Sequence, residues 1–256
     1  MTTAALPRTT ATPFGRISRV VKLNLANPMT TVGMPALILG AIFVLNLAIW
    51  VIIRANSDPA DQAEISGGLQ FSGATTWIFF YMLVVAVQAI NLTFPLALGY
   101  GSTRRDFYLG SVLTFVILSA MWSILLGVMS LLEEATGGWW LGGRMFTAIY
   151  FGGESAGIGE RVIIFFCAML FFFLVGAATA TVYVRWKVLG MVTFFSLLAL
   201  ALVGAIAGIT MARLWPAVGQ FFVDAQALGV ALWLLVPTAL AGLAGYLILR
   251  RATPRS

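Results

Sequence analysis

With 256 residues, of which 61% are hydrophobic and only 9% charged, the chain cannot cover itself with the polar surface of a water-soluble domain, where roughly 25% of residues are charged. Lipid is therefore the solvent for most of it, and one membrane domain accounts for the length. The formal net charge of +6 is spread between apolar runs and forms no basic patch with interleaved aromatics, which excludes nucleic acid as a partner.

Residues 1–12 are rich in Thr and Ala, a composition that predicts a tail without regular structure. From Pro13 the pattern is helical. Phe14, Ile17, Val20, Val21 and Leu25 fall on one side of the wheel, and Arg16, Arg19 and Lys22 on the other. An apolar face opposite a basic one predicts an interfacial helix in the headgroup layer, with its cations on anionic membrane lipid. Asn27-Pro28 ends it. The first apolar run starts near Thr31, too late and too long for a signal-peptide core. An uncleaved start with a cytoplasmic N-terminus is expected.

Six runs reach the ~20 apolar residues that a spanning helix needs: 31–53, 73–98, 107–132, 161–184, 188–211 and 228–249. The fold class is all-α membrane protein, with a tail and amphipathic helix over 1–29 and a six-helix domain over 30–256. Segment 54–72 carries Asp58, Pro59, Asp61 and Glu64 and reads as a solvated loop. Segment 133–160 is rich in glycine and holds Trp139, Trp140, Phe146, Tyr150 and Phe151, which suits a membrane interface. Its first residues, Glu133 and Glu134, read as solvated charge at a helix end. In 212–227, the Trp215-Pro216 break followed by Val218, Phe221 and Phe222 predicts a short re-entrant or interfacial helix.

Charge sets the orientation. Arg8, Arg16, Arg19, Lys22, Arg104, Arg105, Arg185, Lys187, Arg250, Arg251 and Arg255 share the side of the N-terminus, with Asp106 as its only acidic residue. Arg54, Arg144, Arg161 and Arg213 lie on the other. Positive residues stay inside, so both termini are expected in the cytoplasm, as an even number of spans requires.

The chemistry within the spans is sparse. There is no histidine, which removes the commonest metal ligand and general base, and no metal site is expected. Cys167 is the only cysteine, so no intrachain disulfide forms. No carboxylate lies at mid-depth, which argues against proton coupling. No GxxxxGK[ST] is present, and neither Lys22 nor Lys187 follows such a loop. Catalytic pairs are equally absent, so the chain does not read as an enzyme. Gln88 and Asn91, three apart, share one face of span two. They either hold helices together or line a polar path between two copies, for which Thr193 and Ser196 are the further candidates. Gly204 and Gly208 form a GxxxG that permits close helix approach. Pro95 and Pro237 should kink their helices. The phenylalanines of span four, Phe165, Phe166, Phe171, Phe172 and Phe173, read as bulk facing lipid.

Between spans two and three stands GYGSTRRDFYLG, Gly99 to Gly110. Gly99 and Gly101 allow a turn, Ser102 or Thr103 can cap a new helix, and Asp106 sits in its first turn, where a carboxylate is favoured. Arg104 and Arg105 face the cytosol, and Phe107 and Tyr108 can bury against a partner or the interface. Local physics leaves an ordinary basic turn and a docking handle both open. The wider segment PLALGYGSTRRDFYLGSVL resembles the turn after span two in six-span permeases of the ABC-2 type, the exporter branch of ABC transporters. The layout resembles that family throughout the chain; the motif covers about a dozen residues. The resemblance implies that Ser102, Thr103, Arg104, Arg105, Asp106 and Phe107 form a coupling helix docking on a separate ATPase, which binds ATP and Mg, this chain binding no cofactor. It also implies that the helix from Pro13 is the connecting helix, and that two ATPase copies serve two permeases, the second being another copy or a paralogue. The expected setting is a bacterial plasma membrane. The apolar path suits a hydrophobic or amphipathic cargo such as a drug, peptide antibiotic or lipid. The rivals are an ATP-independent secondary transporter or channel, and a membrane scaffold that transports nothing.

Overall fold

The computed structural model describes residues 13–58, 68–69, 72–153 and 155–251. The tail 1–12 with Arg8, the loop residues Pro59, Asp61 and Glu64, and Arg255 lie outside the described residues. Every long element is a helix: α1 Pro13–Asn24, α2 Met34–Ala55, α3 Thr76–Gly99, α4 Arg104–Ala135, α5 Ile158–Met211, α6 Trp215–Trp233 and α7 Leu235–Arg250. Among the described residues, five stretches are long and apolar enough to cross a membrane: Met29–Ala55, Thr76–Gly99, Arg104–Ala135, Ile158–Met211 and Trp215–Arg250. In lipid each backbone polar group must be satisfied within the protein, and among the described residues the spanning stretches meet that demand as helices. The protein is an all-α, multi-span membrane protein.

The fourth stretch holds two of the expected spans. At 54 residues it would run about 80 Å if straight, against a hydrocarbon core of about 30 Å. It is not straight. Lys187 has φ 57° and ψ −147°, a conformation that costs a non-glycine residue about 1–3 kcal/mol. A Cβ on Gly190 would lie 3.6 Å from the Val182 carbonyl oxygen, whereas eight residues of straight helix separate such positions by about 12 Å. The chain therefore bends sharply at Lys187. A second break, at Gln226 (φ 54°, ψ −178°), divides α6, so the expected short helix after Trp215 exists as the part before Gln226.

The first leg of α5 is the centre of the bundle, packed against α3, α4 and α7. Its phenylalanines correct the sequence expectation. Phe165 and Phe173 are fully buried, Phe173 stacking on Phe115 at 5.0 Å and Phe165 meeting Phe151 at 4.8 Å. Phe172 packs on Phe79 and Phe80. The close approaches that allow this come from glycines other than the GxxxG pair. A Cβ on Gly176 would stand 2.5 Å from the Leu83 carbonyl oxygen, whereas Gly204 and Gly208 meet open space.

Hydrogen bonds sort the elements to two ends. At one, α1 lies across the start of α4 and the end of α3. At the other, Arg54 in the last turn of α2 donates to the Trp140 carbonyl, and Thr75 before α3 donates to the Met145 carbonyl.

Candidate functional site

The α3–α4 turn is built as its residues dictate. Gly101 takes φ 78°, Ser102 N–H donates to the Ala97 carbonyl and Gly101 N–H to that of Leu98. This is the paired closure that uses a left-handed glycine just past a helix end. One residue after Ser102, the Thr103 hydroxyl accepts from Asp106 N–H at 3.1 Å and caps α4, so of the two expected caps Thr103 serves.

Beyond the cap, this segment's side chains divide. Thr103 and Arg105 are exposed, and Ser102 and Arg104 are half-buried. Asp106 and Phe107 are buried. Arg16 Nε donates to Asp106 Oδ2 at 2.7 Å, so Arg16 turns inward, away from the outer basic face on which Arg19 and Lys22 remain. Phe107 packs on Phe94 at 5.3 Å, and the Tyr108 hydroxyl donates to the Gly242 carbonyl at 2.6 Å. Both aromatics thus bury inside the chain. On the neighbouring face of α1, Val20 seats on Gly110, where a Cβ would come 2.6 Å from Val20 Cβ. Ile17 is half-buried, while Phe14 points out. Asn24 bridges α4 and α3, donating to Ser111 at 3.2 Å and accepting from Thr93 at 3.0 Å. Arg104 Nη1 donates to the Arg250 carbonyl at 3.2 Å. One short turn thus ties together α1, α3, α4 and the end of α7 while leaving Thr103 and Arg105 free at the surface.

The mid-depth polar residues are not gathered into one site. Gln88 is exposed, set between Val84 and Leu92 in an outward stripe of α3. Asn91 is half-buried, and its Oδ1 is enclosed without a hydrogen-bond partner. Thr193 and Ser196 are exposed on the second leg of α5. Thr193 lines an apolar groove of about 460 Å³ in the crook of the bend, with its hydroxyl turned back to the Leu189 carbonyl at 2.9 Å.

The opposite end holds a centre that the sequence hid. Glu133 is 1% exposed. Its carboxylate accepts from the N–H groups of Met145, Phe146 and Thr147, from the Thr147 hydroxyl at 2.5 Å and from the Trp139 indole at 2.8 Å. Glu134 Oε1 pairs at 2.6 Å with Arg161 Nη2, whose side chain is fully buried. Glu133 is not the solvated helix-end charge that the sequence suggests, because the loop folds back over it; Glu134 stays exposed, as expected, and pairs with Arg161. Trp139 and Trp140 adopt φ 58° and 60°, strained for non-glycine residues, and the indole bond to Glu133 holds the first of them. Burial pushes the Tyr150 phenol above its ordinary value, against a lowering hydrogen bond from Thr76.

Among the described residues, no group of three or more His, Cys, Asp or Glu side chains is placed to hold a metal ion. Comparison with family models, with curated proteins and with solved structures gives no match, so the chain's own residues carry the functional reading.

Proposed function

We propose that this chain is the permease subunit of an ATP-driven exporter of the ABC-2 type, with six spans, both termini in the cytoplasm, and energy supplied by a separate ATPase. The bend at Lys187 supports six crossings, because it divides α5 into legs of roughly 44 and 36 Å, each enough for one bilayer. Charge asymmetry supports the orientation.

The observation that carries the docking role is the construction of the Thr103–Asp106 turn. A part that transmits force must be rigid where it meets its own chain and free where it meets the motor. Here the Arg16–Asp106 pair, the Phe94–Phe107 contact and the Arg104–Arg250 bond fix the turn to three other helices. Arg105 and Thr103 stay exposed. ATP-driven closure of the motor would then move α1, α3, α4 and α7 together. The outward stripe of α3, with Gln88 among Phe80, Val84, Leu92 and Leu96, supports a second permease copy: an amide facing hydrocarbon is costly unless another protein surface meets it. Such a path suits a hydrophobic or amphipathic cargo.

The test is Arg105→Ala in the full chain, purified from native membrane with its partners. An ATPase should copurify with the wild type and be lost or reduced with the variant, while yield and helix content stay unchanged. An ATPase that copurifies equally with both, with transport intact, would overturn the docking assignment. Transport by the purified chain without nucleotide would favour the secondary transporter or channel.

A further inference from the structure

We infer that the groove in the crook of α5 binds one anionic phospholipid, its acyl chain along the apolar wall and its phosphate on Arg185 and Lys187. The wall is formed by Trp186, Leu189, Gly190, Phe194, Leu197 and Ile248. From the bend at Lys187 to Leu197 it runs about 15 Å along the helix, half of a ~30 Å hydrocarbon core. Its depth is therefore that of one leaflet, and its mouth lies at the level of the bend and the end of α7.

Two cations, Arg185 and Lys187, flank the lining residue Trp186 in the chain, and no lining residue is acidic. The Arg185 guanidinium lies 4.4 Å over the Trp186 ring, and the Lys187 ammonium 5.6 Å over that of Tyr183. Among the described residues, neither has a carboxylate partner. Ile248, on the wall, is followed two residues later by Arg250, and the carbonyl of Arg250 brings in Arg104. Asp106, the one carboxylate on this side of the sequence, is occupied by Arg16. A single-sign patch above a dry slot one leaflet deep complements a phosphodiester attached to an acyl chain. A second copy of this chain would bring the same cations against themselves. Glycine at 190 lets Trp186 hold its place on the wall, because a Cβ there would collide with Trp186 Cβ.

This inference needs only the membrane reading and stands or falls apart from the exporter proposal. The probe is quenching of Trp186 by brominated lipid in reconstituted full-length protein, with Trp186→Phe subtracting the other tryptophans. One set of phosphatidylcholine vesicles carries a minor fraction of dibrominated phosphatidylglycerol. The other set carries the same total fraction of phosphatidylglycerol, with the bromines on an equal fraction of phosphatidylcholine. Trp186 should be quenched well beyond the mole fraction by the brominated anionic lipid only. A cation near an anionic headgroup favours binding about fivefold, so Lys187→Gln should lower that preference about fivefold, and Arg185→Gln with Lys187→Gln should abolish it. Equal quenching by the two lipids, quenching by neither, or an excess that survives the double substitution would overturn the site. The wild-type comparison decides even if the double variant does not fold.

Discussion

Glu133 shows how much one carboxylate can organise. Three backbone N–H groups, an indole and a hydroxyl converge on it, and all of them lose their acceptor together in Glu133→Ala. Buried donors left unpaired cost about 1–3 kcal/mol each. The expected outcome is loss of hydrogen-exchange protection at residues 145–147, with the helix content of the spans intact. Unchanged protection would show that backbone geometry alone holds the loop. The centre was illegible in sequence for a physical reason. Its acceptor is one of two adjacent glutamates and most of its donors are main-chain groups, which no residue type announces. Thr103 was legible because a cap needs a hydroxyl at a fixed offset from its N–H, and GSTRRD places two there.

At the scale of elements, the helix-versus-loop pattern was readable because apolar runs of about 20 residues have few uses besides spanning. Which faces meet was not, since in lipid an apolar side chain serves equally against a neighbouring helix or a lipid tail. Phe165 and Phe173 of α5 went inward for that reason. The GxxxG of the second leg stayed open, while Gly176 and Gly110, in no GxxxG pair, make the close contacts. The wheel of α1 predicted a basic outer face but could not show that Asp106, ninety residues on, would draw Arg16 out of it. Gly110→Val tests that docking. Overpacking of this kind costs about 1–3 kcal/mol, enough to lift Val20 and the rest of α1 off α4 and open the Arg16–Asp106 pair. Tryptic cleavage after Arg16 should quicken by about tenfold. Gly204→Val, in open space, should leave the rate unchanged, and a similar rise in both variants would sink the contact.

For the whole molecule, the decisive question is where the chain turns, because every statement about inside and outside inherits it. The basic run Arg185-Trp186-Lys187 marked the gap between two apolar stretches in the sequence, and the structure bends there. The sequence had no means of showing that the bend needs no loop, since one left-handed residue between two helices leaves no Gly or Pro signature. If the two legs cross the bilayer in opposite directions, Lys187 lies on the side of Arg105, and Arg213, after the second leg, lies on the side of Arg54. Cys167, the only cysteine, is buried, so Cys167→Ser provides a background for single cysteines at 105, 187, 54 and 213. An impermeant maleimide added to intact cells should label positions 54 and 213 and spare 105 and 187. Inverted vesicles should give the reverse pattern. Labelling of 187 and 213 from one side would remove the sixth crossing. It would also part the Arg250 end of α7 from the orientation assigned here, although the Arg104–Arg250 bond places that end beside the α4 start. Opposite labelling would put Thr103, Arg105 and the mouth of the α5 groove on one cytoplasmic surface, where a motor and an anionic leaflet can both reach them.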